Sequence, residues 1–139
     1  MSKKRILVVD DMPLMRTMLN KYITRVGAHT LKEEYGIDQV EVIEAANGAE
    51  ALEVLDQGGV DLIFLDIMMS EMDGITFLEE MKKRRGSIDI PIVVISALSE
   101  KSVVDRALAL GAANYMTKPF SLKVVEEKLR EVFSAEKAT

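Results

Sequence analysis

A doubly wound α/β domain on a five-stranded parallel sheet is the fold class this sequence predicts, and three observations predict it. Short apolar runs recur at residues 6–9, 40–44, 60–66, 92–95 and 114–117. Each is followed by a stretch whose apolar residues return every three or four positions, the period of a helix with one buried face. The runs at 6–9, 62–65 and 92–95 are continuously apolar rather than alternating, all five are read as strands covered on both faces, and repeated β-α units of such strands give right-handed crossovers with helices on both sides of the sheet.

The first run, Ile6-Leu7-Val8-Val9, ends at Asp10-Asp11. Pro13 suits the first turn of a helix, where its missing N–H costs nothing. Leu14, Met18, Tyr22 and Val26 then recur every four residues, with Met15, Leu19 and Ile23 alongside, and Gly27 is the expected stop. Between residues 28 and 39, Leu31 and Tyr35 lie four apart and Lys32-Glu33-Glu34 suits a helix surface, so the segment either prolongs the first helix or forms an extra turn before Gly36. Val40 to Glu44 is the second strand. Asn47 is the N-cap of the next helix with Glu50 at the capping-box position; Ala51, Leu52 and Leu55 form its inner face and Gly58-Gly59 its end.

Leu62-Ile63-Phe64-Leu65 is the most apolar run, and a single carboxylate, Asp66, closes it. Ile75, Leu78 and Met81 mark the third helix, whose exit Lys82-Lys83-Arg84-Arg85 places positive charge at a helix C-terminus before Gly86. Pro91 opens the fourth strand, which runs into Ser96-Ala97; Ser99 is the expected cap of a helix carrying Val103, Ala107 and Leu110 up to Gly111. Asn114 to Thr117 is the fifth strand, Lys118-Pro119-Phe120 a turn, and Ser121 the cap of a last helix with Leu122, Val125, Leu129 and Val132 on one side.

Composition narrows function. At 139 residues the chain is expected to form one domain, without room for a second, output domain. Its 18 basic and 23 acidic residues give a net charge of -5, which argues against a general electrostatic grip on nucleic acid or anionic membrane. The absence of cysteine excludes disulfides, thiolate metal sites and thiol catalysis. The run after the basic start is too short for a signal-peptide core or a membrane span, so a soluble cytoplasmic protein is expected.

In an open parallel sheet, ligands sit beyond the carboxyl ends of the strands. Asp10, Asp11, Asp66, Ser96 and Lys118 each lie at or just after such an end. Three converging carboxylates repel one another unless one holds a proton or a cation sits among them, and all-oxygen ligands in an open site favour Mg²⁺ or Mn²⁺. A carboxylate is also a nucleophile toward phosphorus when the phosphoryl oxygens are neutralised, which a metal, the Lys118 ammonium and the Ser96 hydroxyl are able to do. Taken singly the residues are ordinary. Asp10-Asp11 reads as a capping pair, Asp66 as a turn residue, Ser96 as a satisfied hydroxyl, Lys118 as a solvated lysine and Tyr115 as a half-buried aromatic. Their ordered coincidence at one sheet edge carries the functional reading. Met15, Met18 and Met81 fall at core spacing, whereas Met68, Met69 and Met72 lie on the loop after Asp66, where Met68 is placed to shield a phosphoryl group. The single histidine, His29, is outside this constellation, and the 82–85 cluster reads as a solvated helix end.

Asp10-Asp11, Asp66, Ser96-Ala97, Tyr115 and Lys118-Pro119-Phe120, in this order after successive strands, resemble a response-regulator receiver domain of the CheY-like, stand-alone chemotaxis type. The resemblance covers nearly the whole of 1–139 and leaves out an insertion around 28–39 between the first helix and second strand. It implies the flavodoxin-like strand order 2-1-3-4-5, with Asp66 as phosphoacceptor. Asp10, Asp11, Asp66 and the backbone carbonyl of Met68 are implied as Mg²⁺ ligands, Asp11 directly and Asp10 through water, with Ser96 and Tyr115 as the switch pair and Lys118 as the phosphate-pairing lysine before a cis proline. The implied partners are a sensor histidine kinase as phosphodonor, a protein target on the face formed by the fourth helix, fifth strand and fifth helix, and a phosphatase, with no nucleic acid and no membrane. The protein is then not an enzyme beyond its own phosphotransfer and autodephosphorylation. Slow dephosphorylation is expected, because neither Met68 nor Leu98 can orient a water. Ser70 stands where receivers usually carry proline, which predicts a less rigid loop. Alternatives are an intermediate of a phosphorelay and, more distantly, an aspartyl-nucleophile phosphatase, whose second acid two residues on is replaced by Met68. An FMN-binding module is disfavoured, since no phosphate loop follows the first strand.

Overall fold

The computed structural model describes residues 2–86 and 88–138. Five strands, β1 (Lys3–Val9), β2 (Gln39–Ala45), β3 (Leu62–Asp66), β4 (Ile92–Ser96) and β5 (Asn114–Thr117), form one parallel sheet in the order β2-β1-β3-β4-β5. The order reverses about β1, so the connections after β1 and β3 leave on opposite faces and a crevice opens between them at the carboxyl edge. Register fixes what lines that crevice. Val9 pairs with Leu65, which makes Asp10 level with Asp66; Asp66 pairs with Ile95, and Ser96 with Thr117.

The helices are α1 (Pro13–Val26), α2 (Gly48–Asp56), α3 (Gly74–Arg85), α4 (Lys101–Leu110) and α5 (Leu122–Ala138). Side chains alternate across each strand and divide the core in two. Leu7, Val9, Ile63, Leu65 and Val94 face α2, α3 and α4, packing on residues such as Leu55, Phe77 and Ala107. Ile6, Val8, Phe64, Val93 and Ile95 face α1 and α5, against Leu19, Ile23, Val125 and Leu129. β3 and β4 are buried throughout, as a continuously apolar run requires. The edge strands are not. Only Ala45 of β2 and only Met116 of β5 are buried, because an edge strand is paired on one side and its margin lies beyond the covering helices.

The first helix does not stop at Gly27. That residue is buried in right-handed helical geometry (φ -59°, ψ -41°), and the chain continues through a π-helical turn (Gly27–Leu31) into a last helical turn (Lys32–Tyr35). The glycine is needed for space. A Cβ there would lie 2.8 Å from Cγ2 of Val40 in β2. The true stop is Gly36, in the left-handed region at φ 66°. Leu31 and Ile37 enter the α1–α5 core, and the extension is bonded along α5: Thr30 Oγ1 donates to Glu126 Oε2 (2.7 Å), the Tyr35 and Ser134 hydroxyls lie 2.8 Å apart, and Arg130 pairs with Glu34 at 3.0 Å.

Two smaller expectations also change. Leu14 is 67% exposed, since α1 overhangs the sheet at its start and its inner face begins at Met15. Ser99 caps nothing: a 3₁₀ turn (Leu98–Glu100) precedes α4, Glu100 Oε1 accepts from the Ala97 N–H (2.5 Å), and α4 buries Val104 and Ala107 with Val103 and Leu110 at its margin. The other caps form as expected, Asn47 Oδ1 accepting from the Glu50 N–H (2.9 Å) and Ser121 Oγ from the Val124 N–H (3.3 Å).

Gly27→Ala therefore sets two effects against each other. Helix propensity favours alanine by about 1 kcal/mol, whereas overpacking against a stiff valine costs about 1–3 kcal/mol. The expected outcome is net destabilisation in urea unfolding, reversed in sign when combined with Val40→Ala; stabilisation by the single substitution would contradict the packing role.

Candidate functional site

At the carboxyl edge, strand register and two short loops bring the acids together. Asp10 follows β1 directly and is fully buried; its N–H donates to the Ala45 carbonyl (3.1 Å), and its Oδ1 accepts from the Met12 N–H (2.9 Å). Arg16, one turn into α1, donates from Nη1 to the Asp10 carbonyl (2.6 Å) and from Nε to Glu44 Oε1 (3.2 Å), clamping this corner onto β2. Asp66 is 3% exposed. Its Oδ1 accepts from the Met68 N–H (3.1 Å) and its Oδ2 from Lys118 Nζ (3.1 Å), which also lies 3.6 Å from Asp10 Oδ2. Lys118 is held in turn by its own N–H, which donates to the Ser96 carbonyl at 2.7 Å, and a cis peptide joins it to Pro119.

The loop leaving Asp66 folds back tightly. The Gly74 N–H donates to the Ile67 carbonyl (3.0 Å), and a Cβ on Gly74 would meet Ile67 Cα at 2.7 Å. Asp73 caps α3 through the Thr76 N–H (2.9 Å). The sequence reading missed this cap, although an aspartate just ahead of the periodic apolar residues is its usual signal.

Charge at the site is only partly balanced. Burial first, and the Asp10 charge second, push the Asp66 carboxyl up from 3.8 to about 6, against the opposing pull of the Met68 N–H and the Lys118 ammonium. Burial alone would lower Lys118, but its pairing with Asp66 and Asp10 outweighs this and leaves it above the ordinary lysine value. One oxygen from each of Asp10, Asp11 and Asp66 lies within 4.8 Å of the others, and Asp10 Oδ2, buried, accepts no hydrogen bond among the described residues. A buried carboxylate oxygen that accepts no hydrogen bond and is paired only with the Lys118 ammonium at 3.6 Å, facing two more carboxylates, fits an oxygen-liganded divalent cation. The Ser96 hydroxyl, 1% exposed, likewise has no hydrogen-bond partner among the described residues.

A family model described as the response regulator receiver domain matches residues 6–130. The chain belongs to that family. This receiver domain is similar to the chemotaxis protein CheY of Bacillus subtilis (strain 168), at 36% identity over 132 residues that cover 94% of this chain and 98% of that protein. It is also 36% identical over 132 residues to the "Probable transcriptional regulator ycf27" of Porphyridium aerugineum, covering 95% of this chain and 49% of that protein. The chain thus spans about half the length of the first curated relatives it matches. In fold it is similar to the chemotaxis protein CheY4 of Vibrio cholerae, with a TM-score of 0.78 at 24% identity, covering 94% of this chain and 99% of that one.

Tyr115 is 44% exposed, and between it and Ser96 lies a cavity of about 210 Å³ also lined by Lys101, Val104 and Asp105. Met68 is 55% exposed at the mouth, whereas Met69 is buried and Met72 packs against the start of α2, where its Sδ would lie 2.7 Å from a Cβ on Gly48. Met69 thus belongs to the core and Met72 packs half-buried against it; the Leu98 side chain lies outside the described residues. Of the basic cluster, Arg84 pairs with Asp56 and Arg85 with Asp89, each at 3.2 Å, on an exposed helix end. A larger hollow of about 450 Å³, beside Pro91, Ala113 and Val132, is at the opposite end of the sheet. No helix among the described residues is long and apolar enough to cross a membrane.

The raised Asp66 value has a consequence for stability. The folded form holds a proton more tightly than the unfolded chain, so this group's contribution falls as pH rises from about 4 through 6. A two-unit rise corresponds to ~3 kcal/mol at most. Asp66→Asn is therefore expected to stabilise the metal-free protein by up to about that amount at pH 7.5, with the advantage fading as pH falls from about 6 and gone below about pH 4. Urea titrations in EDTA across this range check it; equal stability of the two proteins at neutral pH would count against the burial penalty.

Proposed function

We propose that this receiver domain is a phosphorylation-activated signalling switch in which Asp66 accepts a phosphoryl group from a phosphohistidine on a sensor kinase. The observation that carries the reading is the pairing of a buried, strand-ending Asp66 with Lys118 beside two further acids, with the buried Ser96 hydroxyl, without a hydrogen-bond partner, at the end of the neighbouring strand. An Asp66 carboxylate oxygen attacks phosphorus, the P–N bond to the kinase imidazole breaks, and the ring leaves with its electron pair. Lys118, already 3.1 Å from Asp66, pairs with one phosphoryl oxygen, and Ser96 donates its free hydroxyl to another. Asp10, Asp11, Asp66 and the Met68 carbonyl would hold Mg²⁺, with Mn²⁺ as a substitute. Bound there, the ion neutralises phosphoryl and carboxylate charge together. Water returns the aspartyl phosphate to the carboxylate, and Met68, with no polar group to orient that water, slows the return.

The charge change at Asp66 becomes a packing change. As Ser96 is drawn toward the phosphoryl group, Tyr115 leaves solvent for the cavity beside it, past the small Ala97. The face of α4, β5 and α5 then binds a protein partner more tightly in the phosphorylated state, the switch moving only by that difference in affinity. We read residues 1–139 as one such domain in a cytoplasmic two-component pathway, with a phosphatase to reset it and a phosphorelay intermediate as the alternative place. The likeness to a chemotaxis protein over 98% of its length supports direct readout by a partner protein. The transcriptional regulators of which this chain spans about half support a second reading, in which the same switch governs an attached transcription-regulating output.

Beryllofluoride or acetyl phosphate with Mg²⁺ is expected to occupy or modify Asp66 and to change the Tyr115 fluorescence or ring resonances. An unaltered wild type, or an equal response in Asp66→Asn, would overturn the assignment. Met68→Asn is expected to shorten the lifetime of the aspartyl phosphate, followed by phosphorus NMR or radiolabel loss; an unchanged lifetime would remove Met68 from the control of hydrolysis.

A further inference from the structure

Ser70 lies in the loop between β3 and α3, and its backbone N–H donates to Asp11 Oδ2 at 3.0 Å. This bond crosses the crevice. It joins the loop after β1, which carries Asp10 and Asp11, to the loop behind Asp66. The Ser70 side chain is exposed, and the contact is made by the amide, so any residue but proline retains it. Among the described residues no hydrogen bond reaches the other Asp11 oxygen.

We infer that the Ser70 amide is a positioning group for the acidic site: it commits one Asp11 oxygen to the β3–α3 loop and so holds the other in the cluster with Asp10 and Asp66. The inference rests on the reading of that cluster as the Mg²⁺ site. Asp11 is the least buried of the three acids, and it is not enclosed by the sheet as Asp10 and Asp66 are. Without a fixed partner its carboxylate would have to be ordered by the cation itself, and that lost freedom would subtract from affinity. A charge-assisted bond from a backbone amide orders it beforehand. The same bond gives the loop behind Asp66 a tether that a proline at 70 would have to replace by its own stiffness.

The test is Mg²⁺ titration calorimetry on wild type, Ser70→Ala and Ser70→Pro, with the exchange rate of the Ser70 amide followed by NMR in metal-free protein. Ser70→Ala keeps the donor and is expected to bind within about twofold of wild type, whereas Ser70→Pro deletes it and is expected to bind about five- to tenfold more weakly. In wild type the Ser70 amide is expected to be protected from exchange, to stay protected on adding Mg²⁺, and to lose protection in Asp11→Ala. Wild-type affinity in Ser70→Pro, or a Ser70 amide indifferent to Asp11→Ala, overturns the inference and leaves the Mg²⁺ reading standing. A wild type without measurable Mg²⁺ affinity overturns both. Should Ser70→Pro fail to fold, the amide measurement on wild type and Asp11→Ala decides.

Discussion

One ammonium shared between two buried carboxylates is the interaction on which the site depends. Lys118 lies 3.1 Å from Asp66 and 3.6 Å from Asp10, and neither acid has appreciable contact with solvent. Burying either carboxylate alone would cost several kcal/mol, and a single cation offsets the penalty only in part. The shortfall is visible in Asp66, still raised to about 6, and in Asp10 Oδ2, which accepts no hydrogen bond among the described residues. The fold tolerates it because the register of β1, β3 and β4 and the Lys118–Ser96 backbone bond leave these groups nowhere else to go. With three carboxylates facing one ammonium, the site is poised for a divalent cation and then for a phosphoryl group.

Much of this was legible in the sequence, for particular reasons. β3 and β4 were readable because continuous apolar runs have few other uses at that length, and Asp66 stood out because a charge ending such a run needs a partner. Asn47 and Ser121 act as caps because their side-chain oxygens serve local amides, and local chemistry is what a sequence displays best. Gly27 was misread for the opposite reason. A glycine that ends a helix and a glycine that makes room for a neighbour are the same letter, and only Val40, brought in by strand pairing, tells them apart. The edge strands were taken for buried ones because pairing partners, not composition, decide which strand lies at the margin.

At the site the residues were legible and their supports were not. Asp10, Asp11, Asp66, Ser96 and Lys118 converge as strand-end positions must in this topology. The groups that orient them are largely backbone: the Met12, Met68 and Ser70 amides and the Asp10 carbonyl that Arg16 grips. Backbone donors carry no identity, so the sequence announces only where proline would remove one. Ser70 first suggested a looser loop, yet the amide that serine retains is bonded to Asp11. Met69 and Met72 lie on the loop after Asp66 in the sequence, yet Met69 is buried in the core and Met72 packs half-buried against it.

The two flanks of the sheet differ in how firmly they are held, and this bears on the direction of any response. On the β2 side the extension of α1 is bonded to α5 through Thr30, Tyr35 and Glu34, with Leu31 and Ile37 buried beneath it. On the β5 side there is a cavity, a half-exposed Tyr115, and an α4 whose start is a 3₁₀ turn rather than a capped helix. Close-packed interfaces bonded along their length resist small displacements, and a displacement is taken up where there is free volume. In the proposed mechanism a pull on Ser96 therefore spends itself toward α4 and Tyr115, while α5, fastened from behind by the α1 extension, serves as the fixed wall against which the change at the α4-β5-α5 face is read.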